Sequence, residues 1–380
     1  MRTRTRHVVV VGGGFAAVEA VLALRALAQE RVTIELISRD ALLRYRPSAT
    51  GQPFGVDEVV GFDLAGLAQG AGAAFRRDAL ASVMPAAHTI RLASGTTRRY
   101  DALVLALGAR WRAGIPGALT FRDERDAHHV TGVLDAVRAG EVRSIVFAGP
   151  LGVAWTLPLY ELALMTARRL DDEALDATVR LVTPEARPLE IFGAEGSDAV
   201  HAALIEYGVH LDCDARPRAT TRDGVELRYG GLVPGDRVIA VPQLVGPLLP
   251  GVPAEWNGFL PIDADSAVVG LDDVYAAGDL TDFPVKQGGL ATQQADAAAR
   301  AIAAEAGVPV STERRVYVLR GQLLGAREPL YLSAELDAAG RPVEGGGAAG
   351  SELPWWPSGK VVGRHLSPRL AELQPVRSAA

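Results

Sequence analysis

The chain has 380 residues, of which 48% are apolar and 22% charged, so it can form two or three domains with sizeable cores. Its formal net charge of −6 argues against a protein that binds nucleic acid through a basic surface. A single cysteine, Cys213, excludes an internal disulfide, a cysteine-rich zinc site and chemistry that needs a cysteine pair. It also fits a reducing cytoplasm, which is the predicted location.

The N-terminal part of the chain predicts a strand, a glycine turn, a helix and a second strand. Val8–Val11 are β-branched and precede Gly12–Gly14, and residues 15–30 have the apolar spacing of a helix. Val32–Ile37 give the second strand, and Ala102–Ala106 give a further buried strand. This order is typical of a parallel sheet that is covered by helices.

A second unit of the same kind begins near residue 144. Ile145–Ala148 predict a strand, a glycine turn follows, and Leu157–Leu170 have helical spacing. Val179–Val182 and Val238–Val241 predict two more strands. Glycines and prolines interrupt the apolar residues 144–167, so we interpret this segment as strand, turn and helix and not as a membrane span.

The predicted fold is α/β, with two Rossmann-like three-layer domains and a small C-terminal domain. A strand over Val274–Ala277 and a helix over Leu290–Ala306 return the chain to the first domain, which is therefore discontinuous. The expected boundaries are 1–115 and 244–310 for the first domain, 116–243 for the inserted second domain, and 311–380 for the C-terminal domain.

The first glycine turn has the spacing of a dinucleotide-binding motif, Gly12-x-Gly14-x-x-Ala17. Glycine lets the backbone approach a pyrophosphate, and a helix N-terminus offers unpaired N–H groups and the positive end of its dipole. The small Ala17 allows helix and strand to pack closely. Phe15 and Ala16 begin the helix and complete the predicted turn.

Two residues after the second strand are candidates for the rest of a dinucleotide. Ser38 occupies the position where an acidic residue usually holds a ribose, and Arg39 is placed for an adenine or a phosphate. A solvated turn is the alternative interpretation of both residues.

Three segments extend this interpretation: VVVVGGGFAAVEA, YDALVLALGAR, and DDVYAAGDLTDFPVKQGGLATQQADAAARAIAA. Together they resemble the pyridine nucleotide–disulfide oxidoreductase superfamily of FAD enzymes, over roughly residues 6–310. The similarity is greatest to the branch of sulfide:quinone reductases and type II NADH dehydrogenases. The resemblance implies an FAD-dependent oxidoreductase that passes two electrons through its flavin to an acceptor such as a quinone.

The resemblance also implies where FAD lies. The first glycine turn would hold the pyrophosphate, and Leu107 and Gly108 would pass near the flavin or the adenosine half. Gly278 and Asp279 would bind the ribityl or pyrophosphate region. The helix that starts after Gly289, at Leu290, would aim its N–H groups at the flavin N1 and C2 carbonyl, where the reduced ring is negatively charged.

Lysine is rare in this chain, since only Lys286 and Lys360 occur among 39 basic residues. Lys286 and Gln287 precede the helix that would face the flavin, so we predict both as catalytic residues. A cation there would stabilise the anionic reduced flavin or a quinone carbonyl, and a solvated loop lysine is the alternative. Glu19 on the first helix is either a partner of the cofactor or a surface residue.

The second glycine turn, residues 149–152, departs from the family pattern. Phe147 stands where the first glycine is expected, Pro150 removes an N–H, and Trp155 follows in place of a smaller residue. Glu185 is displaced from the usual position of a ribose ligand. NAD(P) binding is therefore doubtful, although NAD(P)H stays a candidate donor. The usual sulfide oxidation is excluded, because Cys213 is alone and far in sequence from the flavin segments.

Three functions stay open on this basis. The first is an NAD(P)H:acceptor oxidoreductase, the second a flavoprotein enzyme with another small-molecule donor, and the third a non-catalytic flavin-binding sensor or electron-transfer partner. Tyr160 and Glu161 are candidates to line a new pocket in the second domain. His128 and His129 lack metal-ligand spacing with other residues, and no metal is predicted.

The C-terminal region combines Trp355 and Trp356 with a short amphipathic pattern. A domain interface or a homodimer explains this pattern. The alternative is peripheral contact with the inner face of the membrane, in which Lys360, Arg364 and Arg369 face lipid head groups.

Overall fold

The computed structural model describes residues 5–311 and 316–377. Its strands are, in chain order, β1 (Arg6–Val11), β2 (Val32–Ser38), β3 (Leu42–Arg44), β4 (Val60–Asp63), β5 (Ala74–Arg77), β6 (Leu80–Met84), β7 (Thr89–Leu92), β8 (Thr97–Arg99), β9 (Ala102–Leu105), β10 (Arg110–Arg112), β11 (Leu119–Thr120), β12 (Ser144–Ala148), β13 (Thr178–Val182), β14 (His210–Asp212), β15 (Pro217–Thr221), β16 (Gly224–Leu227), β17 (Leu232–Pro234), β18 (Arg237–Ala240), β19 (Gln243–Val245), β20 (Val274–Ala276), β21 (Tyr317–Leu323), β22 (Leu330–Leu336), β23 (Pro342–Gly350) and β24 (Val376–Arg377). Its α-helices are α1 (Phe15–Ala28), α2 (Leu64–Gly70), α3 (Ala127–Arg138), α4 (Leu157–Asp172), α5 (Gly193–Glu206), α6 (Gly288–Glu305) and α7 (Leu366–Ala371). Short 3-10 helices cover Gln29–Arg31, Arg46–Phe54, Pro85–Ala87, Glu124–Asp126 and Glu190–Phe192.

The first sheet is parallel, with the strand order β20-β9-β1-β2-β5. Val8 and Val10 on β1 pack under α1 and α6, whereas Val9 and Val11 pack against the antiparallel sheet of β6, β7 and β8. Side chains alternate across a strand, so both faces of β1 are buried and the run is wholly apolar. The result is three layers around one sheet.

The second sheet is also parallel, with the order β11-β18-β12-β13-β14. Helices α3, α4 and α5 cover one face, and the antiparallel β15, β16 and β17 lie on the other. The predicted fold class, with two three-layer Rossmann-like units, is confirmed. In the sequence, β20 follows every strand of the second sheet, yet it pairs in the first sheet. We therefore propose the discontinuous domain boundaries given above.

The C-terminal part of the chain forms an antiparallel sheet of β21, β22 and β23, which packs on α5. The chain then returns to the first domain, where β24 pairs with β4. In residues 5–311 and 316–377, no helix has the length and apolar character that crossing a membrane requires. The apolar residues 144–167 are divided between β12, a loop and α4, as the prolines and glycines predict.

Candidate active site

The first glycine turn joins β1 to α1 and leaves open space beside its last glycine. A Cβ on Gly12, whose φ is +145°, would lie 2.1 Å from the carbonyl oxygen of Ala106. A Cβ on Gly14 would meet no atom within 4 Å, and Gly14 is the N-cap of α1 without a capping side chain. Gly12 is thus required by the fold, while Gly14 leaves the helix N-terminus open to an anionic ligand.

A cavity of about 880 Å³ begins at this turn, a volume in the upper part of the range of small-molecule sites. The predicted site residues that line it are Gly12, Gly14, Phe15, Ala16, Ser38, Arg39, Leu107, Gly108, Gly278, Asp279, Lys286 and Gln287. The two stretches of sequence that the resemblance assigns to one cofactor therefore form walls of one cavity.

Three predicted cofactor-binding residues do not line the cavity. Ala17 belongs to α1 and is fully buried where this helix packs on neighbouring elements, and its small side chain allows them to approach closely. Gly289 and Leu290 are buried inside α6, because this helix begins at Gly288 and not after Gly289. Gly288 and Ala291 lie on the cavity wall in their place.

The carboxylate of Asp279 lies on the cavity wall, and none of the described residues donates a hydrogen bond to it. Gly278, with a φ of +83°, makes the turn that precedes it, and its N–H donates to Gln294 Oε1 at 2.7 Å. The Asp279 carboxylate accepts no hydrogen bond from the described residues, and its burial raises its pKa, against the opposing effects of Lys286 and Arg46. A ligand rich in hydroxyl donors, such as the ribityl chain of FAD, fits this position.

Lys286 and Gln287 are both buried and both have partners in the chain. Lys286 Nζ donates to the carbonyl of Thr281 and lies 3.9 Å from the ring centroid of Phe259, and burial lowers its pKa to about 8. Gln287 is the N-cap of α6, since its Oε1 accepts from the N–H of Leu290 at 3.0 Å. The catalytic roles of both residues stay predictions, and the hydrogen bond from Leu290 fixes the Gln287 side chain at the N-terminus of α6.

Lys360 faces the cavity and not a lipid surface, which corrects the alternative given above. Its Nζ lies 2.6 and 2.8 Å from the carboxylate oxygens of Glu161 and 3.0 Å from the carbonyl of Pro47. Glu161 also accepts from the Thr50 hydroxyl at 2.7 Å, and its side chain is only 1% exposed. Pro47, Thr50, Glu161 and Lys360 all line the cavity, as does Lys286, so both lysines of the chain are found there.

The second glycine turn lacks the geometry of the first. β12 ends at Ala148 and α4 begins only at Leu157, so residues 149–156 separate the strand from the helix N-terminus. Phe147 is fully buried in the core of the second domain, whereas Trp155 lines the large cavity. The helix N–H groups therefore do not lie at this turn, where they would contact a pyrophosphate.

Glu185, the acidic residue near this turn, accepts hydrogen bonds from three side chains of the protein. Glu185 accepts hydrogen bonds from the hydroxyls of Tyr160 at 2.7 Å, Thr183 at 2.8 Å and Thr156 at 3.0 Å. Neither Glu185 nor Cys213 lines the cavity, and the pKa of the Cys213 thiol is raised by burial and then by the nearby Glu185. A ribose hydroxyl would have to compete with these three protein donors for Glu185.

Glu19 is neither a surface residue nor a wall of the cavity. Its two carboxylate oxygens accept the backbone N–H groups of His365, at 2.8 Å, and Leu366, at 2.7 Å, where α7 begins. Burial, followed by the nearby Asp296, raises the pKa of Glu19 to about 8. The side chains of Glu19, Asp296 and His365 bring their potential metal-ligating atoms within 4.8 Å of one another, a grouping that sequence spacing did not predict.

We predict that this pair of carboxyl groups destabilises the fold as pH rises. Glu19 has a pKa above its unfolded value of 4.5, so folding favours its protonated form and stability is lost as pH rises through about 8. Asp296→Asn should remove a charge beside Glu19 and reduce the loss of stability between pH 6 and pH 9 by roughly 1 kcal/mol. His365, Arg300 and Arg364 also act on Asp296 and stay in place.

Thermal unfolding at pH 6 and pH 9 checks this prediction. The control is Asp135→Asn, which removes an exposed charge on α3 far from Glu19. Equal losses of stability in both variants and in the parent chain would contradict the proposed pairing.

The family model described as pyridine nucleotide-disulphide oxidoreductase matches residues 6–304. The chain belongs to this family. It is therefore an oxidoreductase that binds FAD, and the resemblance found in the sequence is confirmed. FAD supplies the two-electron chemistry when bound, and the open first glycine turn and the unpartnered Asp279 fit it.

Among curated relatives, the chain is 31% identical over 292 residues to the ferredoxin reductase subunit of 5,5'-dehydrodivanillate O-demethylase from Sphingobium sp.. The alignment covers 71% of this chain and 66% of that relative, just under two thirds of its length. The similarity supports membership of this family of oxidoreductases.

Among solved structures, the sulfide:quinone oxidoreductase of Aquifex aeolicus superposes with a TM-score of 0.77, at 20% identity, over 91% of this chain and 87% of that one. The ferredoxin reductase of Rhodopseudomonas palustris gives a TM-score of 0.63 at 19% identity, over 87% of this chain and 82% of that one. At these identities the likeness shows a shared fold.

Proposed function

We propose that the flavin of this oxidoreductase accepts two electrons from a small-molecule donor that enters the cavity and passes them to a quinone-like acceptor. In this proposal NAD(P)H does not bind at the second glycine turn. The observation that carries the proposal is the separation of β12 from α4 by residues 149–156. Dinucleotide binding needs the N-terminus of the helix within a few residues of the strand end, as at the first turn, where only residues 12–14 separate β1 from α1.

Many charged side chains line the cavity, but one part of its wall suits an apolar, planar substrate. That part includes Phe121, Trp155 and Leu157. The N-terminus of α6 at Gly288 is on the same wall, where its dipole stabilises negative charge on a reduced flavin. Lys286 donates to a neutral carbonyl and contributes positive charge to this wall, whereas the charge of Lys360 is balanced by Glu161.

The test is an anaerobic titration of the FAD-loaded protein, followed by its visible absorbance. We expect millimolar NADH and NADPH to leave the oxidised flavin spectrum unchanged over minutes, while dithionite bleaches it completely. A short-chain quinone added to the reduced protein should then restore the oxidised spectrum. Rapid bleaching by either nucleotide would contradict the proposal, and the dithionite sample controls for a flavin that cannot be reduced at all.

The second candidate acceptor is a small electron-transfer protein. The names of the relatives favour it, because the Sphingobium relative is a ferredoxin reductase subunit and a further fold neighbour is a putidaredoxin reductase–putidaredoxin complex. Arg110 and Trp111 line the cavity and are exposed, and Arg112 beside them is exposed as well. A basic, aromatic rim of this kind suits an acidic partner.

Reoxidation rates distinguish these two acceptors. If a protein is the acceptor, a [2Fe–2S] ferredoxin should reoxidise the reduced protein faster than the quinone does, and salt should slow it. Arg110→Glu should then slow ferredoxin alone. If the quinone is the acceptor, its rate should change little with salt or with this substitution.

A further inference from the structure

Arg320 is a cationic side chain on the cavity wall that has no partner among the described residues. It lies on β21, is half-buried, and its guanidinium makes no hydrogen bond or ion pair with any described residue. Other basic residues of the wall are paired, as Lys360 is with Glu161 and Arg125 with Asp123. Arg46 and Arg110 also make no ion pair within the described part of the chain, but both are exposed to solvent.

Burial of an unpaired guanidinium is unfavourable, because the protein replaces only part of its hydration. Burial also lowers the pKa of Arg320, and no carboxylate of the described residues opposes this shift. An anion supplied by a ligand would offset it. The position therefore indicates a place where a negatively charged group binds.

Gln322 strengthens this assignment. Residues two apart on a strand point to the same face, so Arg320 and Gln322 project together, and both line the cavity. The Gln322 amide also makes no hydrogen bond with the described residues. A guanidinium and an amide side by side form the donor set that recognises a carboxylate.

The location of Arg320 connects this site with the flavin. Its carbonyl oxygen accepts from Nε2 of Gln287 at 3.2 Å, and Gln287 caps the N-terminus of α6. The resemblance implies that the flavin ring lies at this end of α6. A Cβ on Gly321 would lie 2.7 Å from Leu157, so the strand packs closely on an apolar part of the wall.

We propose that Arg320 and Gln322 bind the carboxylate of the small-molecule donor and thereby hold its apolar, aromatic part beside the flavin. This rests on the proposed function, in which the donor enters the cavity. Arg320 is the specificity-determining residue in this assignment, because its planar fork matches a carboxylate at two atoms. The substrate class is an aromatic carboxylate that also carries a reducing group: this group loses a hydride equivalent to the flavin and a proton to solvent, while the carboxylate held by Arg320 is unchanged.

The test uses the FAD-loaded protein with benzoate as the probe and benzamide as its neutral counterpart. Benzoate should perturb the visible flavin spectrum in a saturable way, and benzamide should bind at least about tenfold more weakly. Arg320→Lys and Arg320→Gln should raise the benzoate Kd by about 10- to 100-fold, and Gln322→Leu should raise it less. Arg327→Gln, an exposed charge change in the same C-terminal part, should leave the Kd unchanged.

The flavin itself is the other source of negative charge that Arg320 could serve. If Arg320→Gln lowers the flavin midpoint potential and leaves the benzoate Kd unchanged, Arg320 stabilises the reduced flavin and the substrate assignment is overturned. Absence of any benzoate perturbation in the parent protein overturns it as well. Reduction of the flavin by NADH would overturn the proposed function, whereas these spectral titrations report on Arg320 independently of it.

Discussion

Gly14→Ala should yield folded protein that binds FAD weakly, whereas Gly12→Ala should yield little folded protein at all. At Gly12 a methyl group would lie 2.1 Å from the Ala106 carbonyl oxygen, and the φ of +145° is one that alanine rarely adopts. At Gly14 the backbone is ordinary, with a φ of −93°, and a methyl group would contact no protein atom within 4 Å. The methyl would instead occupy the space assigned to the pyrophosphate.

The FAD content after purification and the FAD Kd after reconstitution measure this difference. We expect Gly14→Ala to weaken FAD binding by about 1–3 kcal/mol, the usual cost of overfilling a packed site. Gly132→Ala on α3 is the control, because a methyl there also meets no atom within 4 Å but lies outside the cavity. Unchanged FAD affinity in Gly14→Ala would mean that the pyrophosphate lies elsewhere.

The elements that position the cofactor could be predicted because their signals are local. The run of valines in β1 is buried on both faces, and the glycines that follow it are required by contacts within the same turn. The predicted start of α6, Leu290, is two residues later than the observed start at Gly288, since the side chain of Gln287 caps the helix before the two glycines. The spacing of apolar residues contains no information about such a capping side chain, so the ends of a helix are harder to predict than the helix itself.

The groups that distinguish this chain from its relatives depend on contacts between distant residues. Lys360 and Glu161 are 199 residues apart in the sequence. Glu19 accepts hydrogen bonds from His365 and Leu366, which follow it by more than 340 residues. In the sequence, the rarity of lysine drew attention to Lys360, but it gave no indication that Glu161 is its partner. Arg320 gave no signal, because a polar residue in a strand with one buried face is ordinary until the cavity on its other side is known.

The altered second turn was visible in the sequence as substitutions, but its geometry was not. Phe147 and Pro150 indicated a changed nucleotide site. The structure adds that Phe147 is a core residue and that Glu185 is held by three hydroxyls. These hydroxyls come from α4, the loop before it, and the end of β13, which only the folded chain brings together.

Lys360→Ala should lower the free energy of unfolding by about 3–5 kcal/mol, because it leaves the carboxylate of Glu161 buried without a cation. The side chains of Lys360 and Glu161 are 11% and 1% exposed, so water cannot replace the lost partner easily. Urea denaturation followed by tryptophan fluorescence measures the change. Arg138→Ala is the control, since it breaks an exposed pair with Glu173 and should cost at most about 1 kcal/mol.

The double variant Lys360→Met, Glu161→Leu separates the structural from the chemical role of the pair. Apolar side chains of similar size should recover part of the lost stability, because no buried charge is left unpaired. The Thr50 hydroxyl and the Leu324 N–H lose their acceptor, which limits the recovery. The backbone at residue 360 should stay in place, since its carbonyl still accepts from Gln287 Nε2, at 3.3 Å in the parent chain. Reoxidation of the reduced flavin by quinone should nevertheless slow, because the charged wall of the cavity near α6 is gone. Full stability with an unchanged reoxidation rate would show that the pair serves the fold alone.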